Sequence, residues 1–280
     1  MPPLSVIIPC KNEQHNIGEC IRSLQGLAAE IIVADNGSTD ETLAIVSQIG
    51  GCRVIEREFI GYASFKNWAL PQATHEWVLM VDADERMTSE LADEIRTLLS
   101  GQPACDAYGV GFDNYIFGHR IRYCGWNTPE VTRLLRKSVC RYQDRKVHER
   151  VEVATGKLGS LRNRFRHYTS RDLETYIRKV VRYGCLDGDD RYERGKRPRY
   201  LFTLLHAPLR FLQLYVLRGG FRDGFPGLIL CMILAFYVFM KDARLWERHD
   251  PIACAARGEK KPSTASLQTE PVLSDARRAA

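Results

Sequence analysis

The chain has 280 residues, of which 45% are hydrophobic and 26% charged, so it can bury a full core and is not a disordered, collagen-like or repeat protein as a whole. Its net charge of +6 is unevenly spread: the first 105 residues hold 7 Lys and Arg against 15 Asp and Glu, and the rest hold 33 against 19. An acidic first third followed by a basic remainder predicts a cation site and then a surface for phosphate or anionic lipid, with a solvated basic face that binds no partner as the alternative. No RNA-binding aromatic motif, helix-turn-helix or zinc finger is present, so no nucleic-acid partner is expected.

The cysteine pattern favours a reducing compartment. Nine cysteines form an odd set without a CxxC pair, so neither a disulfide framework nor a zinc knuckle is predicted. At the N-terminus, charge arrives at Lys11 before any long apolar run. We therefore expect a cytosolic protein without a signal peptide.

Short apolar runs alternate with segments of helical periodicity in the first hundred residues, which predicts βαβ units and a parallel sheet. Ser38 or Thr39 is the expected N-cap of the second helix. The predicted strands are 4–9, 31–34, 52–55 and 77–81, and the predicted helices are 12–27, 41–49, 66–74 and 89–99.

Acidic residues follow three of these strands. Glu13 follows the first, Asp35 the second, and Asp82 and Asp84 the fourth. Ligands of such sheets bind beyond the carboxyl ends of the strands, so these side chains are expected at one site. Two carboxylates at i and i+2 suit Mg²⁺ or Mn²⁺, which also binds diphosphate oxygens and acts as a Lewis acid.

The remaining chain changes character. Segments rich in Tyr, Phe, Gly and Arg over 106–168 predict further strands and loops, and 171–184 predicts an amphipathic helix. The apolar stretches 200–217 and 225–240 are flanked by Arg and Lys, which favours a hairpin lying in an anionic membrane surface. A buried core helix and a true membrane span stay open as alternatives for the second stretch. The tail 250–280 is predicted to be disordered.

Several segments together resemble the inverting family 2 glycosyltransferases of GT-A fold, and the later ones resemble the lipopolysaccharide-core glycosyltransferases of the WaaE/KdtX type. The resemblance implies an α/β, Rossmann-like mixed sheet flanked by helices over 1–168, and a helical membrane-associating extension over 169–249. The segments that carry it are SVIIPCKNE, IIVADNGSTDET, FKNWAL, WVLMVDADE, GWNTPEVTRLLRK, KVHERVEV, HYTSRDLETYIRK, RGKRP and LRGGFRDGFPGLI.

The resemblance also implies roles for single residues on the donor side. The chain departs from the usual Asp-Asp-Gly-Ser by having Asn36, which can still hydrogen-bond a base. The metal ligands implied are Asp84 and Asp82, with His148 as a possible helper. The residues expected to line the nucleotide-sugar pocket are Pro9, Asn12, Glu13, Asp35, Asn36, Lys66, Asn67, Asp82 and the intervening Ala83.

Inversion requires a carboxylate that takes the proton of the acceptor hydroxyl. Glu149 is the favoured base, because it lies in the segment where the family places acceptor-side groups; Asp144 and then Asp113 are the alternatives. Trp126 is expected either to stack on a sugar face or to pack in the core. Arg133 and Arg136 are expected either to face phosphate groups or to lie on a solvated strand face.

The resemblance implies a metal-assisted transfer of a hexose, glucose being favoured, from a UDP-sugar to a lipid-anchored acceptor such as the inner-core heptose of lipopolysaccharide. The expected location is the cytoplasmic face of a bacterial inner membrane. One alternative is transfer to polyprenyl phosphate. Alternatives of another class are a metal-dependent nucleotidyltransferase, for which the glycine-rich phosphate loop is missing after the first strand, and a non-catalytic sugar-nucleotide-binding protein.

Overall fold

The computed structural model describes residues 3–58, 61–126, 130–143 and 150–256. The chain divides into two compact units: the first comprises 1–114 and 129–169, and the second comprises 115–128 and 170–280. The second unit thus includes 115–128, a segment that the sequence analysis assigned to the first domain.

Within the described ranges, nine strands form one sheet in the order β3-β2-β1-β4-β8-β6-β11-β5, with β7 paired to β6, and β9 and β10 form a separate pair. Strands β1 to β4 are parallel, and β8 runs antiparallel to β4 and to β6. The strands are β1 (Leu4–Cys10), β2 (Glu30–Asp35), β3 (Cys52–Glu56), β4 (Trp77–Met80), β5 (Glu85–Arg86), β6 (Ala107–Ile116), β7 (His119–Ile121), β8 (Val131–Arg136), β9 (Cys140–Tyr142), β10 (Val151–Val153) and β11 (Leu158–Ser170).

The helices of the first unit follow the predicted order with shifted ends. The helix predicted at 12–27 is shorter, because residues 11–16 form a loop. The helix predicted at 66–74 begins and ends earlier, and a 3-10 turn at Leu70–Gln72 that contains Pro71 follows it. The helices are α1 (Ile17–Leu24), α2 (Thr42–Ile49), α3 (Tyr62–Ala69) and α4 (Ser89–Ser100).

The central strands are continuously apolar because both sheet faces are covered. In β1, Val6 and Ile8 enter one core with α1 and α4, whereas Ile7 enters a second core with α3. This alternation follows from the two-residue period of a strand. Buried central strands hold the loops at their carboxyl ends in fixed positions.

The second unit is helical. Asp172 caps α5, its carboxylate accepting from the Thr175 amide at 2.8 Å. Helix α6 ends in a π-helical turn, Gln213–Leu217, and a 3-10 turn at Gly220–Asp223 precedes α7. The helices are α5 (Leu173–Glu193), α6 (Tyr200–Leu212), α7 (Gly224–His249) and α8 (Pro251–Ala256). Because α8 covers 251–256, the disordered tail predicted from residue 250 is wrong for its first residues.

Glycines let α5 and α7 approach closely. A Cβ on Gly184 would lie 3.0 Å from the Met240 Cβ, and a Cβ on Gly188 would lie 2.6 Å from the Arg244 Cβ. Ion pairs follow the same interface: Arg191 binds Asp242 at 2.6 Å and Arg244 binds Asp189 at 2.9 Å. The C-terminal half of α7 is therefore held by charged contacts to α5.

Candidate functional site

The site is built where β1, β2 and β4 end. Cys10 lies opposite Asp35 in the β1–β2 pair, and Ile7 lies opposite Met80 in the β1–β4 pair. All three strands run in the same direction, so the loops that follow them leave from one edge of the sheet. The predicted convergence of the three strand ends agrees with this register.

The loops after β1 and β2 are joined by reciprocal hydrogen bonds. The Asn12 amide donates to the Ser38 Oγ at 2.9 Å, and the Thr39 amide donates to the Asn12 Oδ1 at 2.8 Å. Asn12 adopts a φ of 56°, a left-handed conformation that asparagine tolerates better than most residues. The Glu13 amide adds a bond to the Thr42 Oγ1 at 2.8 Å. The two loops therefore form one rigid wall of the site.

Asp35 organises the second loop from a buried position. Its Oδ2 accepts from the amides of Gly37 and Ser38, both at 2.8 Å, and its Oδ1 accepts from the Ser38 hydroxyl. The prediction that Ser38 or Thr39 caps α2 is therefore wrong. The N-cap of α2 is Glu41, which makes no side-chain cap bond. The carboxylate of Asp35 fixes the loop shape.

Asn36, the residue after Asp35, has an enclosed acceptor oxygen. Pro9 pairs with Ala34 in the strands beneath, and the Asn36 amide donates to the Cys10 carbonyl at 3.1 Å. The Asn36 Oδ1 is enclosed and has no hydrogen-bond partner. Because enclosed polar atoms are normally paired, this oxygen is available to a donor group of a bound molecule.

Asp82 is neutralised by an arginine that the sequence analysis placed on the acceptor side. The Arg133 Nη2 donates to the Asp82 Oδ2 at 2.5 Å and also to Glu85, and the Arg133 side chain is 7% exposed. Glu85 accepts a second bond from the Asp82 amide at 3.0 Å. Leu79 pairs with Leu134, which sets Arg133 beside the end of β4. Arg133 therefore acts as a fixed cation behind the acidic motif.

The charges and the burial of this cluster give its two carboxyl groups, Asp82 and Glu85, very different pKa values. Burial opposes ionisation of Asp82, but Arg133 and Lys66 outweigh it and hold the pKa of Asp82 well below its usual range. Burial, opposed by Arg133 and reinforced by Asp82 and Asp84, raises the pKa of Glu85 to about 7. Asp82 is therefore ionised beside Arg133 at neutral pH, whereas Glu85 is ionised only in part.

Asp84 faces a different partner, His167, which the sequence analysis did not single out. The His167 Nε2 lies 3.3 Å from the Asp84 Oδ2, and its Nδ1 lies 2.9 Å from the Asn114 Oδ1. Strand pairing explains the contact, because His167 of β11 lies opposite Glu85 of β5. Burial opposes the charged imidazole, but the hydrogen bond that its Nε2 donates to the Asp84 carboxylate, with the negative charge of Asp84, outweighs burial and raises the pKa of His167.

Asp84 and His167 suit a divalent cation, and they would supply only some of its ligands. Among the described residues, no group of three or more His, Cys, Asp and Glu converges as a metal site. A carboxylate oxygen and an imidazole nitrogen side by side fit a cation that completes its shell with diphosphate oxygens and water. Asn114 orients the imidazole, as partners of metal-binding histidines do. His148, the histidine predicted for this role, lies outside the described residues.

Helix α3 contributes Lys66 and Asn67 in different ways. The Lys66 ammonium lies 5.4 Å from the centre of the Tyr142 ring, and its charge reaches Asp82. The Asn67 amide instead bonds the backbone of Tyr142 in both directions, at 2.8 and 2.9 Å. Lys66 is therefore near the acidic motif, whereas the structure uses the Asn67 side chain to hold β9.

The acceptor-side predictions have mixed outcomes. Arg136 pairs with Asp106 at 3.3 Å and lies opposite Trp77, at the other end of β4 from Asp82, so the structure does not bring it to this edge. Trp126 is half-buried and packs against the core of the second unit. Both leading candidates for the base, Glu149 and Asp144, lie outside the described residues. Asp113 neighbours Asn114 on β6, and successive strand side chains point to opposite faces.

Comparison with known proteins identifies the chain. The model of the glycosyl transferase family 2 matches residues 5–159, which include the three strand ends and Asp84. The chain belongs to this family. The predicted GT-A fold, a mixed sheet flanked by helices and followed by an apolar C-terminal helix, is confirmed, and the protein is a glycosyltransferase rather than a nucleotidyltransferase.

Two relatives match over nearly the whole chain. The lipopolysaccharide core biosynthesis glycosyltransferase LpsC of Rhizobium meliloti (strain 1021) is 34% identical over 253 residues, which cover 88% of this chain and 93% of the relative. An uncharacterised glycosyltransferase of Rickettsia prowazekii (strain Madrid E) is 29% identical and covers 88% of this chain and 87% of its own length. The similarity thus includes the second unit as well as the family domain.

Solved structures give weaker matches. S. aureus TarS 1–349, in complex with UDP-GlcNAc, aligns over 91% of this glycosyltransferase and 87% of its own chain, with 17% identity and a TM-score of 0.45. Glucosyl-3-phosphoglycerate synthase of Mycobacterium tuberculosis, solved with Mn²⁺, UDP and glucosyl-3-phosphoglycerate, aligns over 41% of this chain and 44% of its own, with 26% identity and a TM-score of 0.31.

Proposed function

We propose that this glycosyltransferase moves a hexose, with inversion, from a UDP-sugar to a lipid-anchored acceptor of the lipopolysaccharide core type. The observation that carries the proposal is the convergence of Asp84 and His167 with the joined loops of Asn12 and Ser38 at one sheet edge. The similarity to LpsC over both units supports the acceptor class.

On the donor side, the wall around Asp35 and Asn36 would receive the nucleoside, with the free Asn36 oxygen accepting from the base. Asp84 and His167 would hold Mg²⁺ or Mn²⁺, which neutralises the charge of the diphosphate leaving group. Arg133 keeps Asp82 ionised and fixed, and Lys66 adds a positive charge beside it. These side chains orient the diphosphate before the transfer.

On the acceptor side, a carboxylate must remove the proton of the attacking hydroxyl. Glu149 and Asp144 remain the first candidates, and Asp113 the third. Glu149→Gln is expected to keep UDP binding and to lose transfer, while Asp144→Asn keeps both. The reverse pattern would assign the base to Asp144.

The second unit carries the features expected of a peripheral membrane protein. Exposed apolar side chains recur on α6 and its π turn at Leu205, Leu209, Leu212 and Val216, one stripe at helical spacing. A stripe of this kind is typical of an interaction surface, and the basic composition of this part of the chain favours an anionic bilayer. The segment Gly220–His249 is long and apolar enough to cross a membrane, but the paired charges on α7 favour attachment without crossing.

Transfer can be tested directly with a panel of UDP-sugars. Lipopolysaccharide truncated at its inner core serves as one acceptor and undecaprenyl phosphate as the other, and both UDP release and labelled product are measured. Product on the truncated lipopolysaccharide alone is the expected result. Product on undecaprenyl phosphate alone would replace the acceptor, and no product with any donor would contradict the proposal.

A further inference from the structure

The π-helical turn at the end of α6 aligns two arginines of the second unit. Two turns of an α-helix take about seven residues. A π turn, with its wider i to i+5 bonding, adds about one more. Arg210 and Arg218, eight residues apart with this turn between them, therefore lie on the same side of the helix. Such turns are frequent at functional sites.

Arg218 is close enough to Arg210 for its charge to act on the Arg210 guanidinium. Arg210 is half-buried, and its Nη1 donates only to the neutral Gln213 Oε1, at 2.9 Å. Within the described part of the chain, neither Arg210 nor Arg218 forms an ion pair. Burial and then the charge of Arg218 lower the pKa of Arg210, which means that the pair is electrostatically unfavourable as it stands.

A constrained loop holds the second arginine in place. A Cβ on Gly125 would lie 3.7 Å from the Arg218 Nη1, so this guanidinium lies against the loop backbone. Cys124 and Gly125 both have positive φ angles, 61° and 76°. The carboxylate of Asp223 accepts from the backbone amides of Arg122 and Tyr123, at 3.1 and 2.8 Å. This acidic group therefore fixes the loop and leaves the arginines unpaired.

Exposed leucines flank the two arginines in the chain. Leu209 and Leu217, each next to one of the arginines in the chain, are 58% and 81% exposed. The planar guanidinium group of an arginine can bind two phosphate oxygens at once, so two arginines on one side of the helix suit a phosphate group. Exposed leucines beside them suit a ligand that carries both a phosphate group and an apolar chain.

We propose that Arg210 and Arg218 form a binding site for the phosphate group of an amphiphilic molecule. The site rests on the proposed function for its role, which is to hold a phosphorylated lipid or lipid-anchored acceptor on the second unit. A lipid headgroup and a soluble phosphate would offer the same oxygens, so the test includes both.

The experiment uses the full chain and measures binding to phosphatidylcholine vesicles with and without 20% phosphatidic acid, and separately to inorganic phosphate. The variants are Arg218→Gln, which changes an exposed side chain, and the double variant Arg210→Gln/Arg218→Gln. The matched control is Arg178→Gln/Arg182→Gln on α5, which removes the same charge from an exposed helix face. Thermal unfolding of each variant verifies that the second unit is folded.

Binding to phosphatidic acid vesicles is expected to fall about tenfold or more in the double variant, less in the single variant and little in the control. If inorganic phosphate binds with the same dependence on Arg210 and Arg218 and displaces the protein from vesicles, the site stands and a soluble phosphate also fills it. Equal losses in the double variant and the control would overturn the proposal, because charge alone would explain the binding. UDP binding, measured in parallel, tests the donor site of the first unit separately, so its failure is distinguishable from failure of this site.

Discussion

The two units place charged and apolar side chains in different positions. In the first unit, charged side chains meet at a sheet edge, where Arg133 and Glu85 are buried and Asp82 is partly exposed. In the second unit, charges between α5 and α7 close a helix interface, and large apolar side chains remain at the surface. The comparison teaches that charged side chains meet at the edge of a sheet in the first unit, whereas in the second unit they join two helices and leave apolar side chains exposed.

The largest effect is expected at Asp84 and His167, the proposed metal ligands. Asp84→Asn should reduce Mn²⁺ affinity by at least the roughly 10- to 100-fold that loss of an outer-shell partner costs, and abolish transfer, because the proposed carboxylate ligand becomes a neutral amide. Electron paramagnetic resonance of free Mn²⁺ measures the binding without needing activity. Asp93→Asn, an exposed change on α4, is the control. Unchanged Mn²⁺ binding in Asp84→Asn would show that Asp84 is not a metal ligand.

A substitution of the buried Arg133 tests how much its two ion pairs contribute to stability. Arg133→Gln should lower the free energy of unfolding by about 3–5 kcal/mol, because Asp82 and Glu85 lose their shared cation. Arg136→Gln on the same strand removes a more exposed pair and should cost about 1 kcal/mol or less. Urea unfolding measures both, and similar losses would refute the distinction between the two arginines.

Glu30 provides a pH test at the opposite end of β2 from Asp35. Burial works against its charge, but hydrogen bonds from Ser5, Thr74 and Arg53 outweigh it and lower the pKa of Glu30 from 4.5 to about 2. The stability that Glu30 contributes, about 3 kcal/mol, is present above pH 4.5 and is lost as the pH falls towards 2.

Glu30→Gln should therefore destabilise the protein at pH 7 and make a much smaller difference at pH 2. Denaturant unfolding at the two pH values measures the gap between wild type and variant. Glu19→Gln, whose side chain is 63% exposed, is the control. A gap that does not depend on pH would contradict the account.

The smallest effect is expected at the helix interface of the second unit. Gly188→Ala should cost about 1–2 kcal/mol, because the new Cβ meets the Arg244 Cβ at 2.6 Å and the clash exceeds the gain in helix propensity. Gly101→Ala in the first unit meets only ordinary contacts and is the control. A stabilised Gly188→Ala variant would show that α5 and α7 have room to separate.

Much of the first unit could be predicted from sequence because its signals are local. The apolar runs of β1, β2 and β4 and the acidic residues after them define the sheet edge, and the family segments define the fold. His167 was missed because its contact with Asp84 spans 83 residues and depends on the pairing of β11 with β5. Arg133 and Arg136 look alike in sequence, and only the direction of β8 against β4 separates a buried cation from a pair at the far end.

The second unit was less predictable for a physical reason. Apolar periodicity indicates which residues avoid water, but a protein core and a membrane surface satisfy it equally well. The closeness of α5 and α7 at Gly184 and Gly188, and the π turn before Arg218, are properties of packing. From sequence alone, Arg210 and Arg218 are only two of the many basic residues in this part of the chain.

The central claim, a metal-assisted UDP-sugar site at the sheet edge of the first unit, is tested most directly by calorimetric titration of the protein with UDP, GDP and CDP, in Mn²⁺ and again in EDTA. The account predicts binding of UDP in Mn²⁺ that EDTA abolishes, with weak or no binding of GDP and CDP. Binding of none of the three to a folded sample, or UDP binding that is unchanged by EDTA, would contradict it.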